Sequence, residues 1–236
     1  GERFSFENKK CAHICFEIMK TPTVSVIIPV FNQEKWIGRC IRSLLDQTMN
    51  RSNYEIIIID DGSEDRSGFA FELFMDEIVL LKNEKNSGLP AALNKGIKAS
   101  KGNHIVRLDG DDYVNKDFLF LLHEFLEQNK YMDAIACDYL LVDDDENVIS
   151  RENCIENPIG CGIMFKSVHL FELGFYDEEF KMWEERDLRY RFEKKYKIHR
   201  LELPLYRYRR HEKNITNNRD ISELHKQKLK LKHGIK

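Results

Sequence analysis

"TVSVIIPVF", residues 23–31, is rich in β-branched residues and almost continuously apolar. A strand with one wet face alternates; an unbroken run reads as a strand covered on both faces. Beyond it, Trp36, Ile37, Cys40, Ile41, Leu44 and Leu45 recur at helical spacing. "YEIIIIDDGSEDRS" (54–67) supplies a second buried strand that ends in acids and a glycine turn, with a short helix predicted over Ser63–Phe74. "EIVLLKN" (77–83) is a third strand, Ala91–Ala99 a helix with Pro90 near its first turn, and "NHIVRLD" (103–109) a fourth strand. Phe118–Gln128 follows as an amphipathic helix, with Asn115 or Asp117 as its cap. Strands alternating with helices predict an α/β fold: a mostly parallel, Rossmann-like central sheet flanked by helices.

The second half changes character. "DAIACDYLLVDDDENVISRE" (133–152) reads as a small antiparallel hairpin with an acidic turn. A helix is predicted from about Lys166 to a stop at Gly174, and "EERDLRYRFEKKY" (184–196) is a helix that opens on acids, as its dipole favours. "IHRLELPLYRYRRHEKNIT" (198–216) gives a strand and then a basic loop, and Ile221–Lys232 a Lys-rich helix with a weak apolar stripe. No repeat or linker interrupts residues 24–216. The expected division is a lead-in helix or linker over 1–22, the main domain over 23–218, and a basic C-terminal helix or tail over 219–236.

Hydrophobic residues make up 42% and charged residues 33% of 236, which supports a core and argues against wholesale disorder. Net charge is −3, yet residues 181–232 carry 17 Lys/Arg against 8 Asp/Glu. That segment suits an anionic ligand or surface, against the simpler reading of a solvated helical face. Six cysteines form no CxxC pair and no zinc signature, so a reducing, cytoplasmic setting is expected. No apolar run is long enough to span a bilayer, and "CAHICFEIM" does not read as a signal peptide.

Each predicted strand ends in polar residues: "FNQE", "DDGSED", "NEKNSG", "DGDD". In open α/β sheets the carboxyl ends of the strands form the ligand crevice. Asn32, Asp60, Asp61 and Asp109–Asp112 should therefore gather along one edge. Asp109 and Asp111 are two residues apart, which in an extended segment puts them on one face, and Gly110 leaves room for a ligand. Two hard carboxylates suit Mg2+ or Mn2+. By itself Asp-Gly-Asp reads more readily as a turn followed by a helix cap; the other acids and amides on the same edge reverse that reading to a cation. An EF-hand fails because Tyr113 and Val114 stand where its ligand and glycine belong. There is no GxGxxG and no GK[ST] loop, so the positive partner for phosphates must come from elsewhere, and "RYRRHEKN" (207–214) offers Arg210 and His211.

"VSVIIPVFNQEKWIGRCIRSLLDQT", "EIIIIDDGSEDRS", "NSGLPAALNKGIKASKGNHIVRLDGDDYV" and "WEERDLRYRF", in this order, resemble an inverting glycosyltransferase of family 2 with the GT-A fold. The resemblance implies that Pro29, Val30, Phe31 and Asn32 surround a nucleotide base, with Glu34 nearby. It implies that Asp61, or its neighbour Asp60, accepts a hydrogen bond from the base, and that Asn94 lies near nucleotide or sugar. Asp109, with Gly110, would face ribose or metal, and Asp111 would ligate the metal beneath the diphosphate, with His211 and Arg210 assisting. Glu185 would be the catalytic base, with Glu184 its rival. Two departures stand out: Leu93 replaces an arginine common in the family, and the acid pair is Glu-Glu instead of Glu-Asp.

The implied reaction moves a sugar from a nucleoside diphosphate, with uridine as the expected base, to a hydroxyl of a carbohydrate or lipid-linked acceptor. The expected cofactor is Mn2+ or Mg2+. Two other readings are a nucleotide-sugar-binding domain without turnover, and a sugar-phosphate nucleotidyltransferase; the second usually needs a glycine-rich basic loop that "PVFNQEKW" lacks. The basic C-terminus suggests peripheral contact with the inner face of a membrane, but its weak stripe argues against deep insertion. Nucleic acid is not expected, because aromatic residues do not interleave the basic segment.

Overall fold

β1 (Val24–Val30) is buried at every position, as its unbroken apolar run requires. In the computed structural model, which describes residues 21–212, 214 and 219–234, it is a central strand of one nine-stranded sheet. β2 (Tyr54–Asp60) and β4 (His104–Arg107) flank it in parallel, and β3 (Val79–Lys82) adds to β2. α1 (Ile37–Leu45), α2 (Ser67–Leu73), α3 (Leu89–Ala99) and α4 (Phe118–Gln128) alternate with these strands. Residues 1–20, most of the expected lead-in, lie outside the described part.

The strand order β3-β2-β1-β4 means that the chain winds outward from β1 and then returns to its other side. The carboxyl ends of β1 and β4 thus frame a topological switch point, where such sheets bind ligands. Pairing of β1 with β4 ends at Ile27 and Arg107, while β1 stays paired with β2 as far as Val30 and Asp60. Pro29, which has no N–H to donate, sits where β4 has already parted from β1. Gly96 lets α3 lie close on the sheet: a Cβ there would be 2.6 Å from Ile27 Cγ2 and from Ile59 Cδ1.

The remaining strands extend the sheet on the β4 side. β8 (Ile163–Lys166) pairs antiparallel with β4 and with β6 (Ala134–Val142). β7 (Val148–Glu152) forms the antiparallel hairpin with β6, as the acidic turn predicted. β9 (Ile198–Arg209) runs parallel to β6, and β5 (Tyr113–Val114) pairs antiparallel with β9. The short strands β5 and β8 carry little pattern of their own; their partners define them. α5 (Ser167–Leu173) ends at left-handed Gly174, as expected. Neither Asp117 nor Asn115 caps α4 by its side chain as expected: Asp117 holds the cap position without a side-chain bond, and Asn115 Oδ1 accepts from the Asp117 N–H.

α6 (Glu184–Glu193) and α7 (Arg219–His233) complete the described chain. The lysines of α7 are not all solvated. Lys228 pairs with Glu179, and Lys232 with Asp177 and Asp187, so this helix docks onto the segment that leads into α6. No described helix is long and apolar enough to cross a membrane. The four described cysteines, Cys40, Cys137, Cys154 and Cys161, are buried free thiols.

Candidate active site

The polar strand ends form a connected edge. Asn32, at a φ of 53°, lies just past β1; its Oδ1 accepts from the N–H of Glu64 and its N–H reaches Ser63 Oγ. Glu34 is tied twice to the loop after β2: its N–H donates to Asp65 Oδ2, and its Oε2 accepts from the Arg66 N–H. Asp60 Oδ1 accepts from Ser63 N–H. Asp61 accepts four times from the next loop, from Asn83 Nδ2, Ser87 N–H, Ser87 Oγ and Gly88 N–H, all within 2.9 Å. Pro29 and Val30 are buried, whereas Phe31 is 43% exposed and free to cover a planar ligand.

Past β4 the chain does not stay extended. The Asp112 N–H bonds to the Asp109 carbonyl, so residues 109–112 form a turn. The chain is therefore not extended here, which corrects the premise on which Asp109 and Asp111 are expected to share a face, and each of the three carboxylates finds partners of its own. Asp109 takes two bonds from Arg107, at 2.7 and 3.1 Å. Asp111 Oδ2 stands 2.9 Å from His211 Nε2. Asp112 points inward, where the Tyr206 hydroxyl donates at 2.6 Å and the Arg209 N–H at 2.7 Å. Burial, then the nearby charges of Asp111 and Asp109, push the Asp112 carboxyl well above the usual range. The structure therefore brings Asp111 and His211 together but gives Asp109 to Arg107. Gly110 faces β1: a Cβ there would fall 2.1 Å from Gln33 Oε1, a buried acceptor with no partner.

The ring of His211 stacks on Trp36 at 4.0 Å, and Trp36 in turn donates Nε1–H to Asp144 in the β6–β7 turn. Arg209 secures that turn to the site: its guanidinium donates to the carbonyls of Asp111, Asp143 and Asp144 and to Glu146. Arg210, by contrast, is exposed, and its N–H bonds to Val142.

Arg107 links this edge to the second half. Its Nη1–H donates to Glu184 at 2.9 Å, so one buried guanidinium bridges Asp109 and Glu184. Trp183, at a φ of 67°, turns the chain into α6, whose first two residues are Glu184 and Glu185. Glu184 is buried; desolvation outweighs the Arg107 contact and moves its pKa up to about 7. Glu185 is partly exposed, has Arg186 3.6 Å away, and lines a recess with Pro158, Gly160 and Tyr176. A Cβ on Gly160 would crowd both Glu185 Cβ and Arg107 Nη1, so this glycine lets the recess wall approach the acid pair. Asn94 stands apart from the strand ends: it is buried and clamps the backbone of Tyr176 through both ends of its amide.

Arg107, Trp36 and Tyr206 did not emerge from the sequence as site residues, and Asp112 and Arg209 did so only within the acidic and basic runs. Arg107 had a signal, since an arginine at the end of a buried strand needs carboxylates to be buried at all. Tyr206 had none, because its contact depends on the parallel pairing of β9 with β6.

The family described as Glycosyl transferase family 2 matches residues 25–195. This chain belongs to glycosyltransferase family 2. Among its relatives are the uncharacterized glycosyltransferase EpsJ of Bacillus subtilis, 42% identical over 120 residues, covering 50% of this chain and 34% of the relative. A poly(ribitol-phosphate) beta-glucosyltransferase of Bacillus spizizenii is 37% identical over 111 residues, covering 45% of this chain and 18% of the relative. The matched part thus spans about a third or less of these relatives' length. Residues 1–349 of S. aureus TarS, in complex with UDP-GlcNAc, superpose with a TM-score of 0.73 at 20% identity, over 86% of this chain and 65% of that one. Mannosyltransferase PcManGT of Pyrobaculum calidifontis, in complex with GDP-Man and Mn2+, gives 0.71 at 18% identity, over 90% and 64%. As a family 2 glycosyltransferase, the chain shares the GT-A fold of these neighbours.

Proposed function

We propose that this family 2 glycosyltransferase moves a sugar from a nucleoside diphosphate to a hydroxyl of a glycan or lipid-linked acceptor in one inverting displacement. A UDP-sugar is the donor we infer, in keeping with the UDP-GlcNAc bound by TarS; the GDP-Man of the other neighbour makes guanosine the alternative. The observation that carries the reading is the Arg107 bridge, which ties the donor-side Asp109 to the acid pair at the start of α6. The edge along β1, β2 and β4 supplies the nucleotide platform: exposed Phe31 for the base, the ordered 63–67 and 83–88 loops beside it, and Gln33 Oε1 waiting for a donor.

Asp111 and His211 fit a divalent cation, Mn2+ or Mg2+. A carboxylate oxygen and an imidazole nitrogen 2.9 Å apart would hold such an ion. When bound, such an ion supplies positive charge for the departing diphosphate. The chain's own residues do the rest. Asp112, Tyr206 and Arg209 fix the turn that holds Asp111. Trp36 holds the His211 ring. Glu184, locked to Arg107, anchors the start of α6 and leaves Glu185 to face the acceptor. Glu185 takes the acceptor's hydroxyl proton as that oxygen bonds to the anomeric carbon and the bond to the diphosphate breaks.

The test is turnover and donor binding by Glu185→Gln and Glu184→Gln across UDP- and GDP-sugars with Mn2+. Glu185→Gln is expected to bind donor normally and to lose about 100- to 10,000-fold in kcat. Full turnover by Glu185→Gln, with loss in Glu184→Gln, would transfer the base to Glu184. Binding without turnover in the unaltered protein would favour a nucleotide-sugar-binding role.

A further inference from the structure

A second group of metal-ligating side chains lies at the opposite end of β4 from the acid edge. His104 opens the strand, three residues and about 10 Å before Arg107. His123 and Glu127 stand four residues apart on one face of α4, which packs beside it. The ligand atoms of all three lie within 4.8 Å of one another.

Hydrogen bonding does not account for this arrangement. His104 is 3% exposed, its Nδ1 is buried with no partner, and its Nε2 is 3.5 Å from Glu127 Oε1. That distance is longer than a good hydrogen bond, so a buried imidazole is poorly served at both nitrogens. The same distance fits two ligands of a tetrahedral ion: legs of about 2.0–2.1 Å place adjacent ligands roughly 3.4 Å apart.

The outer contacts also suit a metal. Glu127 keeps Oε1 toward His104 while Oε2 accepts from Lys130 at 2.5 Å. His123 Nδ1 has Glu124 3.5 Å away, the carboxylate-imidazole pairing that orients a ligand's other nitrogen. Burial, reinforced by His123, lowers the His104 pKa to about 4, which keeps the ring neutral and able to ligate. Lys166, opposite His104 on β8, opposes added positive charge, and the Glu127 carboxylate offsets it.

We propose that His104, His123 and Glu127 bind a transition-metal ion, with Zn2+ the best-fitting, and that this ion clips the start of β4 to α4. Two imidazoles and one carboxylate favour zinc over magnesium or calcium, and water completes the coordination. The site is separate from the Asp111–His211 pair and serves the fold.

The experiment is calorimetric titration of the untagged chain with Zn2+, together with Co2+ absorption and melting with and without Zn2+. It compares the unaltered protein with Asp111→Asn, alone and combined with His123→Gln or Glu127→Gln. His123→Gln keeps a polar side chain of similar reach at a partly buried position, and circular dichroism checks that it folds. Expected is one Zn2+ retained in Asp111→Asn with a tetrahedral Co2+ spectrum and a raised Tm. With His123→Gln added, affinity should fall at least tenfold and the spectrum and stabilisation should vanish. Unchanged Zn2+ affinity when His123→Gln or Glu127→Gln is added to Asp111→Asn, or no Zn2+ binding in Asp111→Asn itself, would overturn the proposal.

Discussion

Arg107 holds two carboxylates on one buried guanidinium, and neither is dispensable to it. Arg107→Met would leave buried Glu184 and partly exposed Asp109 without the cation they share. Breaking such a pair by removing one partner costs about 3–5 kcal/mol, and urea unfolding should show a loss in that range. Glu184 also imposes a pH signature. Its carboxyl holds a proton more tightly folded, at about 7, than unfolded, near 4.5, so its contribution to stability is greatest below the lower value and declines as pH rises through 7. Between pH 5.5 and 7.5 the unaltered protein should lose on the order of 1–2 kcal/mol relative to Glu184→Gln. Parallel denaturation curves at both pH values check this. The residues of the acid edge were legible because each follows an apolar run. The inward turn of Asp112 was not, since nothing in "DGDD" says which of three aspartates Tyr206 will claim.

Among the elements, α7 matters most beyond its own length. Asp187 is fully buried and gathers Arg191 from its own helix with Lys232 and His233 from α7. Asp187→Ala should cost about 3 kcal/mol or more in a urea melt, because it removes the one buried carboxylate that Arg191, Lys232 and His233 share. Lys232→Ala, at a half-exposed position, should cost less than 1 kcal/mol in the same assay. The sequence placed this helix correctly but could not show where its lysines go: a Lys-rich helix with few apolar residues reads as solvated. Ion pairs to Asp177, Glu179 and Asp187 take the place of an apolar stripe. The strands β1, β2 and β4 were legible from composition alone, since burial on both faces leaves no polar alternation. β8 and β5 were not, being too short to carry a period.

Across the whole molecule, the edge proposed to hold the nucleotide and the acid pair come from parts of the sheet built on different rules, parallel winding through β1–β4 and mixed pairing from β5 onward. Donor binding should couple them through the cation site. A matching nucleotide-sugar at about 100 times its Kd should add about 2.7 kcal/mol, or roughly 5–10 °C in Tm, with Mn2+ present. Asp111→Asn should show little of that gain under the same conditions, and a thermal-shift panel with and without chelator measures it. The family likeness made the reaction class legible; the acceptor was not, because the walls around Glu185 are made by contacts distant in sequence.

The parallel alignment of β9 against β6 has a consequence for where the chain can be cut. The family match ends at 195, yet Tyr206, Arg209 and His211 all lie beyond it. A fragment trimmed to the matched span would keep every recognisable motif and lose the strand that satisfies Asp112 and faces Asp111. During synthesis, likewise, the edge along β1, β2 and β4 emerges from the ribosome long before β9, so the proposed pairing of Asp111 with His211 can form only after that strand has emerged.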